Sequence, residues 1–484
     1  MTEEARKDRS PGMKLLLTAV IGFVLMVPLM MVYALVWDRQ SQSDTAQQTI
    51  NQGWGGPQVI AGPVIVVPFR TTQTQTEQID GKTVNRVVEV EKYLYISPTE
   101  NKVTTKVDPQ ERKKSIYRSV LYEAAISGAA KFELPADLPR FGVTRERLLW
   151  DRAELRMGAS DSRGLTKGGV LKVNGETLTV QPGKGPGATG GEGFFAFLPW
   201  KGEGALSVDY TFGLRGSRSL SLVPRGGHTT WDVSSVWTSP SFGGAFLPEK
   251  PSISDKGFKA SYTVDKLALG QAPVSTDDQG APMIDDGAGN KNSSMAYREA
   301  SMATASANNP ASGGAVESIS GQARAVTVGL VEPVNLYSKV DRSVKYGFLF
   351  IGFTFVAFLL FDVVGGARVA AAEYLLTGAG LVLFFVLLLA FAEVIGFTPA
   401  YVTASAVIIG LLSSYSAAVL KGWRRGQFIG AMLTGLYALL FVLLNLEAWS
   451  LLIGSVLLFA ALAGVMYATR NVDWGNVGKK EGVA

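Results

Sequence analysis

The chain has no cysteine in its 484 residues and a single histidine, His228. The first absence excludes disulfides, thiolate metal sites and a cysteine nucleophile. The second excludes, within one protomer, every site built on two or more histidines. Charge is also scarce, at 18% of residues against 47% hydrophobic, and it is unevenly placed. Residues 38–345 hold 35 Lys/Arg and 32 Asp/Glu, a net of +3. A region so close to neutral offers no basic surface to displace counterions, which argues against nucleic acid as a partner. Lack of cysteine does not identify a compartment, because a soluble region of about 300 residues buries enough core without staples.

What the chain does have is length in its apolar runs. One spans 15–36, and five more follow closely at 346–364, 374–394, 400–420, 428–446 and 450–468. Each is long enough for a helix to cross a hydrocarbon core of about 30 Å, which needs roughly 20 residues. The lipid bilayer is therefore the first partner. The 15–36 run is too long for a signal-peptide core and ends in Val-Trp-Asp-Arg with no small-residue cleavage site, so it reads as an uncleaved anchor. Pro28 is expected to kink it, and Trp37 stands where an interfacial aromatic belongs.

Basic residues orient the chain. With the N-terminus (Arg6, Lys7, Arg9, Lys14) in the cytoplasm, Arg368, the loop from Lys421 to Arg425 and the tail with Arg470, Lys479 and Lys480 fall inside. The reading is a membrane protein of α + β class, with six transmembrane helices and a large all-β, sandwich-like extracytoplasmic domain inserted between helix 1 and helix 2. Its parts are a cytoplasmic N-terminus (1–14), an anchor (15–37), an extracytoplasmic β-rich domain (38–344), a five-helix bundle (345–469) and a cytoplasmic tail (470–484). The span 400–420 has a point of possible division at Ser413–Ser416.

Residues 38–52 are polar and helix-compatible and extend the anchor until the Gly-rich stretch at 53–57 stops it. Strand patterns follow at 59–69, 84–96, 102–107, 116–132, 153–157, 170–173, 177–180, 205–214, 258–264 and 323–330. Asn174-Gly175 marks a two-residue hairpin. Residues 137–150 add one short helix. Residues 271–318 are rich in Ala, Ser, Asn, Gly and Asp and read as a disordered insertion; 181–193 reads as a second flexible patch.

Chemistry is thin. His228, in Arg225-Gly-Gly-His-Thr-Thr, is a general-base candidate only in isolation, and a surface role fits a Gly-rich turn better. The 183–193 loop lacks the spacing of a phosphate cradle. No lysine follows a serine by three residues, so the Ser-x-x-Lys nucleophile pair is absent. Glu89 and Glu91 share a strand face without a further sign of an acid–base pair. Asp362, Glu373, Glu393 and Glu447 fall near span ends, where water is reachable. Ser413, Ser414, Tyr415 and Ser416 suit helix bridging. No catalytic, cofactor-binding or metal-ligating residue is assigned, and no cofactor is expected.

Four blocks stand together in order: Trp54-Gly-Gly-Pro-Gln58 with Ala61-Gly-Pro-Val64; Trp237 to Pro248 followed by Ile253 to Phe258; Leu330-Val-Glu-Pro-Val334 with Val344 to Phe350; and Glu393-Val-Ile-Gly-Phe397 with Met466 to Trp474. Their order and spacing resemble the CreD family of bacterial inner-membrane proteins, across most of residues 13–474. The resemblance implies a bacterial inner-membrane protein tied to cell-envelope integrity and stress responses. It implies no catalytic motif. The β domain is expected to bind an envelope protein, lipid or wall component. The blocks around Trp54, Trp237 and Phe242 are either a binding surface or turn and core residues, and the second reading is preferred. The rival function is a transporter or lipid-handling protein that uses the bundle.

Overall fold

The computed structural model describes residues 11–79, 82–114, 117–284, 319–330, 336–363, 369–445 and 450–470. Contacts divide the chain into two units, Met1–Thr45 with Val334–Ala484, and Ala46–Pro333.

The first unit is helical. Helix α1 is continuous from Pro11 to Trp54, through Pro28, and so includes the polar extension. It is followed by α2 (Leu336–Lys345), α3 (Gly347–Val363), α4 (Ala371–Ile395), α5 (Phe397–Val419), α6 (Trp423–Asn445) and α7 (Ser450–Thr469). Among the described residues, five helical stretches are long and apolar enough to cross a membrane: Met13–Asn51, Leu336–Asp362, Ala371–Ile395, Phe397–Val419 and Trp423–Asn445. The sixth expected span coincides with α7, Ser450–Thr469. Helix α5 runs unbroken through Ser413–Ser416, so the span is not divided there. Small residues allow close approach of the helices. A Cβ on Gly378 would lie 2.0 Å from Leu25 of α1, and one on Gly347 would lie 2.8 Å from Leu29.

The second unit is built of strands. They are β1 (Gln58–Ile79), β2 (Lys82–Ile96), β3 (Glu100–Lys114), β4 (Tyr117–Phe132), β5 (Glu154–Ala159), β6 (Leu165–Val173), β7 (Glu176–Leu178), β8 (Gln181–Pro182), β9 (Gly193–Phe197) and β10 (Leu206–Ser217). Then come β11 (Ser219–Val223), β12 (His228–Ser235), β13 (Pro240–Gly244), β14 (Ser252–Ser254), β15 (Gly257–Asp265), β16 (Val274–Ser275), β17 (Asp278–Gly280), β18 (Ile319–Gln322) and β19 (Val326–Leu330). A nine-stranded sheet runs β13-β19-β11-β1-β5-β9-β8, with β2 paired to β1 and β16 to β2; an eight-stranded sheet runs β14-β15-β12-β3-β4-β10-β6-β7. Period-two alternation points Leu206, Val208, Tyr210, Phe212 and Leu214 of β10 inward. They share one apolar core with Ile65, Val67, Leu94, Ile96 and Leu155 of the other sheet.

The sheets are joined at one side by a single stretch of chain. After β12 in the eight-stranded sheet, the chain crosses to form β13, the end strand of the nine-stranded sheet, and returns as β14, the end strand of the first. This is the second resemblance block. Phe242 packs edge-on against Phe258 at 5.8 Å, and Trp237 and Phe242 are half-buried against the common core.

Three local expectations need correcting. Residues 137–150 form no single helix; one-turn 3-10 helices occur at Leu138–Phe141, Arg145–Arg147 and Trp150–Arg152. The patch 181–193 is ordered by strands β8 and β9 and a hydrogen-bonded turn at Gly187–Thr189. The supposed disordered insertion is ordered at its start: Val274 is buried in β16, and Asp278 and Ile284 are buried too. Its remaining residues, 285–318, lie outside the described residues.

Candidate functional site

The middle of β1 reads Val-Ile-Ala-Gly-Pro-Val-Ile-Val-Val, nearly continuous in apolar residues. Such a run marks a strand buried on both faces. Ile65 and Val67 face the common core, while Val64 and Val66 form a second cluster with Tyr95 on the outer face. A further cluster joins Val59, Ala61 and Val223 to Ala188, Ile284, Ala323 and Ala325. The outer face of the nine-stranded sheet is therefore covered by chain from 186–190, 271–284 and 323–325.

Two buried ionic groups hold this cover. On β5, Leu155 and Met157 turn inward, so Glu154 and Arg156 turn outward. Arg156 Nη2 donates to Glu154 Oε2 at 2.9 Å, and Lys184 Nζ donates to Glu154 Oε1 at 2.5 Å. The Arg156 guanidinium lies 5.4 Å from the Tyr93 ring centroid, and the Lys184 ammonium 4.8 Å from that of Phe195. In the second group, the Asp278 carboxylate accepts from Arg225 Nη1 at 2.7 Å, from the Gly187 amide at 2.6 Å and from the Gln279 amide at 2.8 Å. Arg225 also donates to Ser97 Oγ at 3.2 Å and lies over Tyr95. The Tyr93 and Tyr95 rings, 6.4 Å apart, set the two groups side by side.

This arrangement assigns the loop at 183–193 a role. One of its amides, that of Gly187, faces an anion, and that anion is the chain's own Asp278. Saturated with three donors and paired with an arginine, Asp278 is a fastening rather than a base. Sequence reading did not single out Glu154, Arg156, Arg225 or Asp278. Arg225 and Asp278 lie 53 residues apart, and nothing local pairs them.

The Trp54–Gln58 block is a second fastening. The Trp54 ring lies 4.4 Å from both the Arg112 and the Arg215 guanidinium. Gln58 is fully buried; its Nε2 donates to the Arg215 carbonyl at 2.9 Å, and its Oε1 accepts from Ser160 Oγ and the Asp161 amide, each at 3.2 Å. Gly55 has φ +128°, and a Cβ there would come within 2.9 Å of the Arg215 carbonyl oxygen. Ser119 Oγ bonds Asn51 Oδ1 at 3.1 Å, and Arg218 bonds Gln47. Partial burial alone would push the Asp161 carboxyl up. Hydrogen bonds from the Arg163 side chain and backbone outweigh this and hold it below the usual carboxylate range. These are turn and packing roles, as preferred from sequence.

The other candidates scatter. His228 Nδ1 lies 2.6 Å from Asp265 Oδ1 in an exposed pair on the eight-stranded sheet. Glu91 accepts two hydrogen bonds from Arg152, at 2.9 and 3.1 Å, in an exposed pair. Among the span acids, Asp362 pairs with Lys14 at 2.8 Å. Glu373 accepts from the Ala370 amide at 2.7 Å, capping α4. Glu393 accepts from the Tyr337 hydroxyl at 3.3 Å, with Arg39 at 4.0 Å. Glu447 lies outside the described residues. Among the described residues, no three His, Asp or Glu side chains gather to hold a metal ion.

Apolar helices carrying a double-sheet β unit, with its ionic groups spent on fastening, define an integral membrane protein of mixed α and β structure. The family model described as "Inner membrane protein CreD" matches residues 10–475, and the chain belongs to the CreD family. It is 31% identical over 472 residues to Inner membrane protein CreD of Escherichia coli (strain K12), covering 95% of this chain and 93% of that one. Among solved structures, two of an M1 zinc metallopeptidase from Deinococcus radiodurans align at 9% identity. One has a TM-score of 0.21 over 70% of this chain and 87% of the other; the second has 0.19 over 70% and 86%. Likeness at that level carries no argument about fold or activity.

Proposed function

We propose that the protein is a non-enzymatic support of the bacterial cell envelope. Its β unit faces the periplasm and binds an envelope protein, lipid or wall component. In this reading the chain crosses the inner membrane six times, α7 being the last span, with both termini in the cytoplasm and residues 38–344 outside. Basic residues at 421–425 and before the anchor support that orientation. Family membership across residues 10–475 is the observation that carries the proposal.

The test is proximity crosslinking in cells from probes placed on the β unit, with identification of what is captured. Reproducible capture of one envelope component, lost on deletion of residues 53–340 together with the envelope phenotype, is the expected result. Retention of the phenotype by that deletion overturns the reading. The rival, transport or lipid handling by the bundle, predicts loss of function from changes at Glu393 or Ser413–Ser416 with the β unit intact.

A further inference from the structure

A serine or threonine in an apolar helix ordinarily donates its hydroxyl to a carbonyl one turn back. Most in this bundle do. Thr377 bonds the Glu373 carbonyl at 2.8 Å, Thr403 that of Pro399 at 2.8 Å, Ser405 that of Tyr401 at 2.7 Å, and Thr434 that of Gly430 at 2.8 Å. Ser414, on the outside of α5, bonds the Gly410 carbonyl at 2.9 Å.

Thr354, Ser413, Ser416 and the phenol of Tyr437 depart from this habit. Their hydroxyl oxygens are buried and meet no hydrogen-bond partner among the described residues. Thr354 and Ser416 are fully buried as residues, and Tyr437 is 2% exposed. Helix contacts fix the levels of the four along the bundle. The Tyr437 ring of α6 packs on Phe350 of α3 at 4.7 Å, and Phe428 packs on Phe361 at 5.6 Å. Thr354 is four residues beyond Phe350 and seven before Phe361, so it lies on the same α6-facing stripe, one turn from the Tyr437 level. The next level is fixed by Gly430, two turns along α6 from Tyr437. A Cβ there would lie 2.5 Å from Ser413 Oγ of α5. Ser416 follows one turn further. At 1.5 Å of rise per residue, the four hydroxyls descend in steps of about 5 Å over about 15 Å. At the Tyr437 end the line stops against aromatic rings, with Phe384 4.5 Å from Tyr437.

Three buried serine and threonine hydroxyls that leave the carbonyl one turn back unused, with the unpartnered Tyr437 phenol on α6, are arranged for a polar guest. A hydroxyl both donates and accepts, and a site with two to four such groups suits water. We propose that Thr354, Ser413, Ser416 and Tyr437 line a hydrated seam between α3, α5 and α6, a binding site for a file of water molecules that is closed at the Tyr437 end. At its middle Gly430 lets α6 approach Ser413 closely. The proposal does not depend on what the β unit binds.

Because the chain contains no cysteine, single cysteines report directly on water. The full-length protein is reconstituted into lipid vesicles as Thr354→Cys, Ser413→Cys or Ser416→Cys. Val407→Cys and Leu411→Cys, on the exposed face of α5, serve as controls. The probe is the membrane-permeant 2-aminoethyl methanethiosulfonate. A thiolate attacks its sulfenyl sulfur, the new disulfide forms and methanesulfinate leaves; only a thiol that meets water ionises to react. The seam cysteines are expected to react at least about tenfold faster than the controls. Equal rates overturn the proposal. Should a cysteine variant fail to fold, Thr354→Val decides instead by thermal unfolding of the detergent-solubilised chain. Loss of a water-bound hydroxyl lowers the midpoint, and an unchanged or raised midpoint, the sign of a dry orphan removed, overturns the seam.

Discussion

Lys14 and Asp362 form an ion pair at 2.8 Å in which the carboxylate side chain is 2% exposed and the lysine 22%. It joins the start of α1 to the end of α3, 348 residues away in sequence. Both residues stand at span ends, and the packed helices take the carboxylate out of water while the lysine keeps part of its contact with it.

Removing one partner leaves the other charge buried. Lys14→Met strands a carboxylate that is 2% exposed and is expected to cost about 3–5 kcal/mol, whereas Lys14→Met with Asp362→Leu recovers most of it, since an apolar pair of similar volume replaces a buried salt bridge at little cost. Unfolding of the full chain in detergent checks the order of the three proteins.

The Arg225–Asp278 pair is open to the same comparison in the β unit, with a structural readout. Asp278→Ala strands a guanidinium that is 4% exposed and leaves the Gly187 amide without its acceptor. The expected loss is about 3–5 kcal/mol. Limited proteolysis should show new cleavage in 181–193 and 271–284 before the strands of the common core are cut. Simultaneous digestion of the whole unit would contradict the fastening role.

Trp54→Ala removes the ring between two guanidinium groups. At about 0.5–1 kcal/mol for each cation–π contact at a partly exposed site, the expected loss is about 1–2 kcal/mol, and Trp54→Phe should retain part of it. Arg112→Ala in the Trp54→Ala background should then cost less than Arg112→Ala alone, a coupling that a double-mutant cycle measures.

Asp161 supplies a pH dependence. Its folded carboxyl titrates below the ordinary 3.8, so the unfolded chain binds the proton first. The stabilisation is fully present above about pH 3.8 and is lost as pH falls through the lower, folded value. Asp161→Asn should therefore be less stable than the unchanged protein at neutral pH, and the gap should close on acidification. A gap that widens on acidification would contradict the Arg163 contact as its source.

The membrane helices were legible because length and apolarity are local properties. The expected 374–394 lies within α4, Ala371–Ile395. The Asn174-Gly175 turn was equally plain: both residues have positive φ, 50° and 91°, as a two-residue hairpin of this kind requires. Strands β11 and β12 escaped notice. Ser-Leu-Ser-Leu-Val is short, and His-Thr-Thr-Trp-Asp-Val-Ser-Ser carries its apolar signal on two residues, Trp231 and Val233. Trp231 is identified as core by its partner, Thr105, whose hydroxyl accepts from the indole N–H at 2.9 Å across the parallel strand. The order in 271–284 was hidden for a related reason. Its composition is that of a loop, and a distant arginine, a glycine amide and the free end of β2 supply what its own sequence lacks.

The crossing of one short stretch between the two sheets makes their outer margins share a fate. A single cut between Gly244 and Ser252 would loosen both hems at once, baring unpaired amides and carbonyls on β19 and β15 that invite strands from other molecules. Pro248 and Pro251 within that stretch cannot donate to such an intruder, so the chain that binds the margins also guards them.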